Sequence, residues 1–159
     1  MSVATHRAAI CALLLTVAEI GNVHDEEPYA RAESAFREFY AWEDAAGQQQ
    51  LRGWFVRRTR TAEREVGLGR TVNAHTWLVR GFASFDSAAG TGKAFDDLVE
   101  AVRRAYRADI TLGGAVDPGP MDNPSGLQVA DIGPVVLAGA LCHAVTLNLT
   151  TYEYLNDGE

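Results

Sequence analysis

The sequence is short of three things: it has two cysteines, fewer basic than acidic residues, and no long apolar run. Each shortage excludes a class of protein. Cys11 and Cys142 each sit inside an apolar stretch and neither has a CxxC partner. They read as free core thiols of a chain that folds in a reducing cytoplasm, and not as staples or a zinc site. A net charge of −7 excludes broad adhesion to nucleic acid or anionic lipid, both of which need a basic surface. It is compatible with DNA passing nearby, because an acidic wall repels DNA and leaves it mobile. The longest apolar stretch, residues 8–18, is too short to span a bilayer. Arg7 precedes it as in a signal peptide, but Glu19 follows at once without a small-residue cleavage pattern, and the run has a helical stripe. Neither export nor membrane insertion is expected.

What is present suits one domain. A chain of 159 residues can bury a core without staples and is too short for two comfortable domains. Residues 3–20 are expected to form a helix, with Ile10, Leu13, Leu14 and Val17 on one face and Gly21 as its stop. An extended acidic segment follows, holding Asp25, Glu26 and Glu27, and then a short helix over 32–43 packed through Phe36, Phe39 and Tyr40. Residues 51–59 and 71–85 read as two long strands, the first apolar on both faces and therefore central. The charged stretch 60–70 joins them, so the pair forms an extended hairpin whose tip projects beyond the core. Residues 93–107 carry the clearest helical stripe (Phe95, Leu98, Val99, Val102, Tyr106), with acids first and arginines last and Thr91 as the N-cap. A long loop over 109–126 precedes strands at 127–137 and 141–155. In the last strand Leu141, Val145, Leu147 and Leu149 alternate with Ala144, Thr146, Asn148 and Thr150, the pattern of an antiparallel sheet with helices on one side. The expected fold is α+β: a mostly antiparallel sheet packed against helices, with a long projecting hairpin, in a single domain spanning 1–159.

Chemistry is sparse. Gly90-Thr91-Gly92-Lys93 stands at a helix start as a phosphate loop would, but Ala94 follows the lysine and no strand ends directly before it. The four histidines, His6, His24, His75 and His143, fall at no ligand spacing within one element, and no metal or cofactor is expected. Cys142 and His143 are strand neighbours and point to opposite faces, which rules out a thiolate–imidazole pair. The arginines stand out more. Arg52, Arg57, Arg58, Arg60, Arg64 and Arg70 gather on the expected hairpin, with Glu63 and Glu65 among them. They are either a solvated face with weak surface pairs or an electrostatic rim that meets acidic patches such as Asp25, Glu26 and Glu27 on a neighbouring subunit.

Several stretches, taken in order, resemble one known family. They are Ile20-Gly21-Asn22-Val23-His24-Asp25, Leu51-Arg52-Gly53-Trp54-Phe55-Val56, and His75-Thr76-Trp77-Leu78-Val79-Arg80-Gly81-Phe82. The helix Phe95-Asp96-Asp97-Leu98-Val99-Glu100-Ala101-Val102 and the closing Leu141-Cys142-His143-Ala144-Val145-Thr146-Leu147 complete the set. This is similar to the tail-terminator proteins of long-tailed bacteriophages, some of them known only as minor tail proteins. The resemblance spans nearly the whole chain and rests on the order of the pieces.

The resemblance implies a non-enzymatic virion protein, made in the bacterial cytoplasm and placed at the head-proximal end of the tail. Members of that family close into a homo-hexameric ring, halt polymerisation of the tail tube and offer the surface to which the filled head attaches. The implied partners are other copies of the chain, the tail tube protein and the head–tail connector or neck protein, with genome DNA passing through the lumen and no membrane. The family has no catalytic motif to carry over. Three other readings stay open at this point: a neck or head-completion protein of the same virion, a small enzyme using His75 or His143, and a free-standing module that binds a host protein.

Overall fold

The structure, a computed structural model, describes residues 2–86, 88–120 and 126–156. The first helix, α1 (Val3–Leu15), begins at Ser2, whose hydroxyl accepts from the Thr5 N–H at 3.2 Å. It buries His6, Ile10 and Leu14, one residue per turn on a single face. It stops five residues short of the expected end. Thr16 turns its hydroxyl back on the Leu13 carbonyl at 2.6 Å, and Glu19 and Gly21 take left-handed conformations that no helix continues through. A Cβ on Gly21 would lie 2.5 Å from the Arg52 carbonyl oxygen, so the close approach also demands glycine.

Next come β1 (Asn22–His24), α2 (Glu33–Glu38) and β2 (Ala41–Glu43). The second helix is therefore half its expected length. Phe39 and Tyr40 close it with tight turns, and 41–43 pairs with the next strand instead of extending the helix. Two long strands, β3 (Gln49–Gly67) and β4 (Arg70–Ser84), are joined at Leu68-Gly69, with φ +70 at Gly69. The charged stretch expected to link them is itself strand. α3 (Thr91–Ala108), β5 (Gln128–Leu137) and β6 (Ala140–Asn156) complete the chain. Of the long loop before β5, residues 109–120 are a series of turns bridged to β6 by Asp117 and Tyr152, and 121–125 lie outside the described residues.

The six strands form one mixed, mostly antiparallel sheet in the order β1-β3-β4-β6-β5, with β2 also on β3 and only β1 parallel to its neighbour. Fold class α+β is thus as the pattern of elements implied. Both faces of the sheet are covered, however, and not one. Trp54, Val56, Trp77, Val79, Val145 and Leu147 meet α1 and α3 in the main core. The alternating residues Phe55, Phe82, Cys142 and Ala144 meet Phe36, Phe39 and Tyr40 on the other side. Gly81 makes this packing possible, because the Trp54 ring lies across it and an added Cβ would sit 2.6 Å from ring carbons.

Candidate functional site: the long arm and its polar root

From Arg57 onward β3 leaves the cover of the helices, and every residue from 57 to 68 is exposed. β6 runs beside β4 along its whole length, from Cys142 opposite Ser84 to Asn156 opposite Arg70. The projection is therefore three strands wide at its root and is not a lone hairpin. β3 bulges between Arg58 and Arg60 and again between Glu65 and Gly67, which twists this edge. Residues 57–70 hold five arginines against two glutamates, a balance of +3, so the remainder of the chain carries −10. The outer strand of the arm is thus cationic in a chain that is acidic in total.

The six arginines part company. Arg52 lies half-buried on the Trp42 ring at 5.1 Å and donates to the Glu19 carbonyl at 2.9 Å, so it holds the chain reversal after α1. Arg57 pairs with Glu27 of its own chain at 3.5 Å. Arg70 stacks on Tyr154 at 4.9 Å, and Arg58 reaches the Thr61 hydroxyl at 3.3 Å. Only Arg60 and Arg64 make no hydrogen bond, ion pair or ring contact among the described residues. Asp25 and Glu26 are exposed, beside a cleft shared with His24, Pro28, Tyr29 and Phe39. The acidic trio is thus partly spent within the chain itself, and His24 is bound to the Phe39 carbonyl at 2.7 Å. Among the described residues no group of three or more potential ligands is placed to hold a metal ion.

The arm is anchored by a polar network inside the sheet–helix core. Trp77 Nε1 donates to Thr151 Oγ1 at 2.8 Å, and the same hydroxyl is bonded to His6 Nδ1, also at 2.8 Å. His6 Nε2 is buried with no partner among the described residues, and the ring stands edge-on to His75 at 5.4 Å between centroids. His75 Nε2 lies 3.0 Å from Glu153 Oε1, Asn73 donates to the same oxygen at 3.2 Å, and the Thr61 hydroxyl meets His75 Nδ1 at 2.8 Å. Burial would raise the Glu153 carboxyl, but the hydrogen bonds from His75 and Asn73 and the nearby His6 outweigh it and hold it below the carboxylate range. Burial pushes the His6 imidazole down, against the pull of Glu153.

His143 belongs to a separate cluster. It lies eight residues before Thr151, the partner of His75, so the two histidines stand roughly 27 Å apart along one sheet. They form no pair. His143 Nε2 bonds Thr91 Oγ1 at 2.8 Å, and its ring lies against Phe85 and Phe95. Thr91 is not the N-cap expected of it. Gly90 takes that place, and the Thr91 hydroxyl instead bridges Asp86 and His143 at the head of α3. Burial raises both thiols, Cys11 to about 11, and both are free.

Sequence reasoning weighed His6 only as a metal ligand and passed over Glu153, although each stands in a legible pattern. His6 occupies the first position of the stripe that continues through Ile10 and Leu14. Glu153 extends the inward alternation of Leu147, Leu149 and Thr151. A scan against protein-family models finds no match, and no curated protein matches the chain.

Proposed function

We propose that this chain is the tail-terminator subunit of a long-tailed bacteriophage, a ring protein that caps the head-proximal end of the tail tube, stops its growth and receives the head. The observation that carries the reading is the charged arm. A head-to-tail ring needs two different complementary surfaces on each subunit, and a β3 edge and turn of net +3 over residues 57–70, on a chain of net −7, offers one pole of such a pair. The order of sequence pieces that resembles the terminator family lends independent support. In this reading the subunit acts by shape and charge. Its partners are copies of itself, the tube protein and the neck, and its place is the virion.

The test is capping in vitro. Purified chain added to polymerising tube protein of the same phage stops elongation at one end and appears there as a ring in negative stain. Tubes that grow unchanged contradict the proposal. A neck or head-completion protein, the nearest alternative, binds the connector without shortening tubes.

One observation favours a second reading. Thr61, His75 and Glu153 lie in line, in the order of a nucleophile, a base and an orienting acid. Yet Thr61 stands on an open stretch of strand, where water reaches any oxyanion. Hydrolysis of an activated ester that disappears in His75→Ala while the fold is kept would support it.

A further inference from the structure

We infer that the turn at the end of the arm, led by Leu68, seats on an apolar stripe at the far edge of the sheet of a second copy, formed by Val129, Ile132, Val136 and Leu141. This rests on the ring reading for its head-to-tail arrangement and adds the surfaces that meet.

The stripe follows from the register. Val136 pairs with Leu141, Ile132 with Val145 and Val129 with Leu147, and the bulge at residue 130 keeps all of them on the face that α1 and α3 cover. The helices cover the middle of that face and stop short of β5. Val145 and Leu147 are buried, while Val129 is 40% exposed, Ile132 42%, Leu141 49% and Val136 72%. Edge strands are usually blunted with charge, and a row of exposed aliphatic side chains on one marks a contact.

The knob is at the other end. Leu68 is fully exposed, at 103%, and Val66 beside it is 42% exposed. Arg70, next to the turn, pairs with Asn156, fifteen residues along β6 from Leu141. Val129, the near end of the stripe, pairs with Leu147, nine residues from Asn156, so knob and stripe are separated by roughly 30–50 Å of strand and cannot meet within one chain. Only another copy brings them together, and such a contact is heterologous, the kind that generates rings.

Charge selects the same pairing. Arg60 and Arg64, unpartnered among the described residues, approach the turn along β3. Two exposed acids stand at the head of α3 beside the His143 end of the stripe, Asp96 near His143 and Asp86 bonded to Thr91, whereas Asp131 pairs with Thr146 and faces the other side of the sheet. An apolar knob flanked by arginine thus meets an apolar stripe with carboxylates at one end, whereas the arm's alternative target at residues 25–27 already has Glu27 bound to Arg57.

Disulfide capture tests this even if the contact is transient. In a Cys11→Ser background, purified Leu68→Cys and Val136→Cys chains are mixed and oxidised. Their cross-linking rate is compared with that of Leu68→Cys mixed with Leu15→Cys, which is exposed on α1. The expected rate is about tenfold or more above the control, as a docked contact raises the local thiol concentration. It falls to the control value when Arg60→Glu and Arg64→Glu are added. A rate equal to the control overturns the inference, including the case in which Leu68 seats on a different virion protein. Capture at the expected rate by a chain that fails to cap tubes retains the contact and removes the terminator reading; capping without capture does the reverse.

Discussion

His75 and Glu153 face each other across β4 and β6, Nε2 to Oε1 at 3.0 Å, in a part of the core where the two side chains are only 2% and 9% exposed. Replacing Glu153 with Ala leaves His75 and Asn73 without their shared acceptor. The expected loss is about 1–3 kcal/mol, the range for a buried polar group left unsatisfied, and urea denaturation measures it.

The same network makes the fold acid-sensitive in two stages. The folded-state value of His6 lies below the ordinary 6.5, so the unfolded chain binds the extra proton first and stability declines as pH falls below about 6.5. Glu153 is likewise depressed below 4.5, and its contribution is present above about pH 4.5 and lost as pH falls through the lower folded value. Thermal melts from pH 7.5 to 3.5 should show both stages. His6→Gln should shrink the upper one, leaving the share of His143, whose imidazole burial also pushes down, and Glu153→Gln should remove the lower. A melting temperature that stays flat between pH 7 and 5 contradicts the assignment to His6.

Gly81→Ala places a methyl group against the fully buried Trp54 ring and forces the ring or the strand to move. Overpacking of this kind costs about 1–3 kcal/mol. The near-ultraviolet circular dichroism of Trp54 should change with it, and an unchanged spectrum and midpoint would show that the ring has room.

The arginines divide into two groups. Arg52→Ala loses the stacking on Trp42 and the bond to the Glu19 carbonyl, and should lower stability by about 1 kcal/mol. Arg60→Glu and Arg64→Glu should stay within about 0.5 kcal/mol of the parent in denaturation, since neither side chain is engaged. Equal effects from all three would remove the distinction between a structural and a displayed arginine.

Thiol reactivity reports the core. With Cys142 buried and Cys11 held up to about 11, mainly by burial with Asp25 adding to it, neither thiol should react with an aromatic disulfide at pH 8 in the folded chain. Both should react once it is unfolded. Fast labelling of Cys142 in the native state would mean that the α2 side of the sheet opens.

Periodicity exposed most of the fold, because Phe95 to Tyr106 and Val145 to Leu149 signal the face they turn to the main core in their spacing. It failed where side chains compete with the backbone or where distant strands decide. Thr16 and Glu19 end α1 early by local bonding, and residues 41–43 become strand because β3 offers a partner that no local window contains. Residues 60–67 looked like a linker because they are charged; they are strand because β4 pairs with them, and the edge leaves their side chains in water. The arm's arginines were visible from the start. Which of them are spent within the chain was not, since Arg57 meets Glu27 and Arg52 meets Trp42 only through the folded sheet.

The most direct measurement is the length of tails made without this chain. A phage carrying a nonsense mutation in its gene should assemble tubes far longer than normal, with free full heads beside them, and supplying the wild-type chain should restore fixed length. Tails of normal length joined to filled heads in its absence would contradict the account.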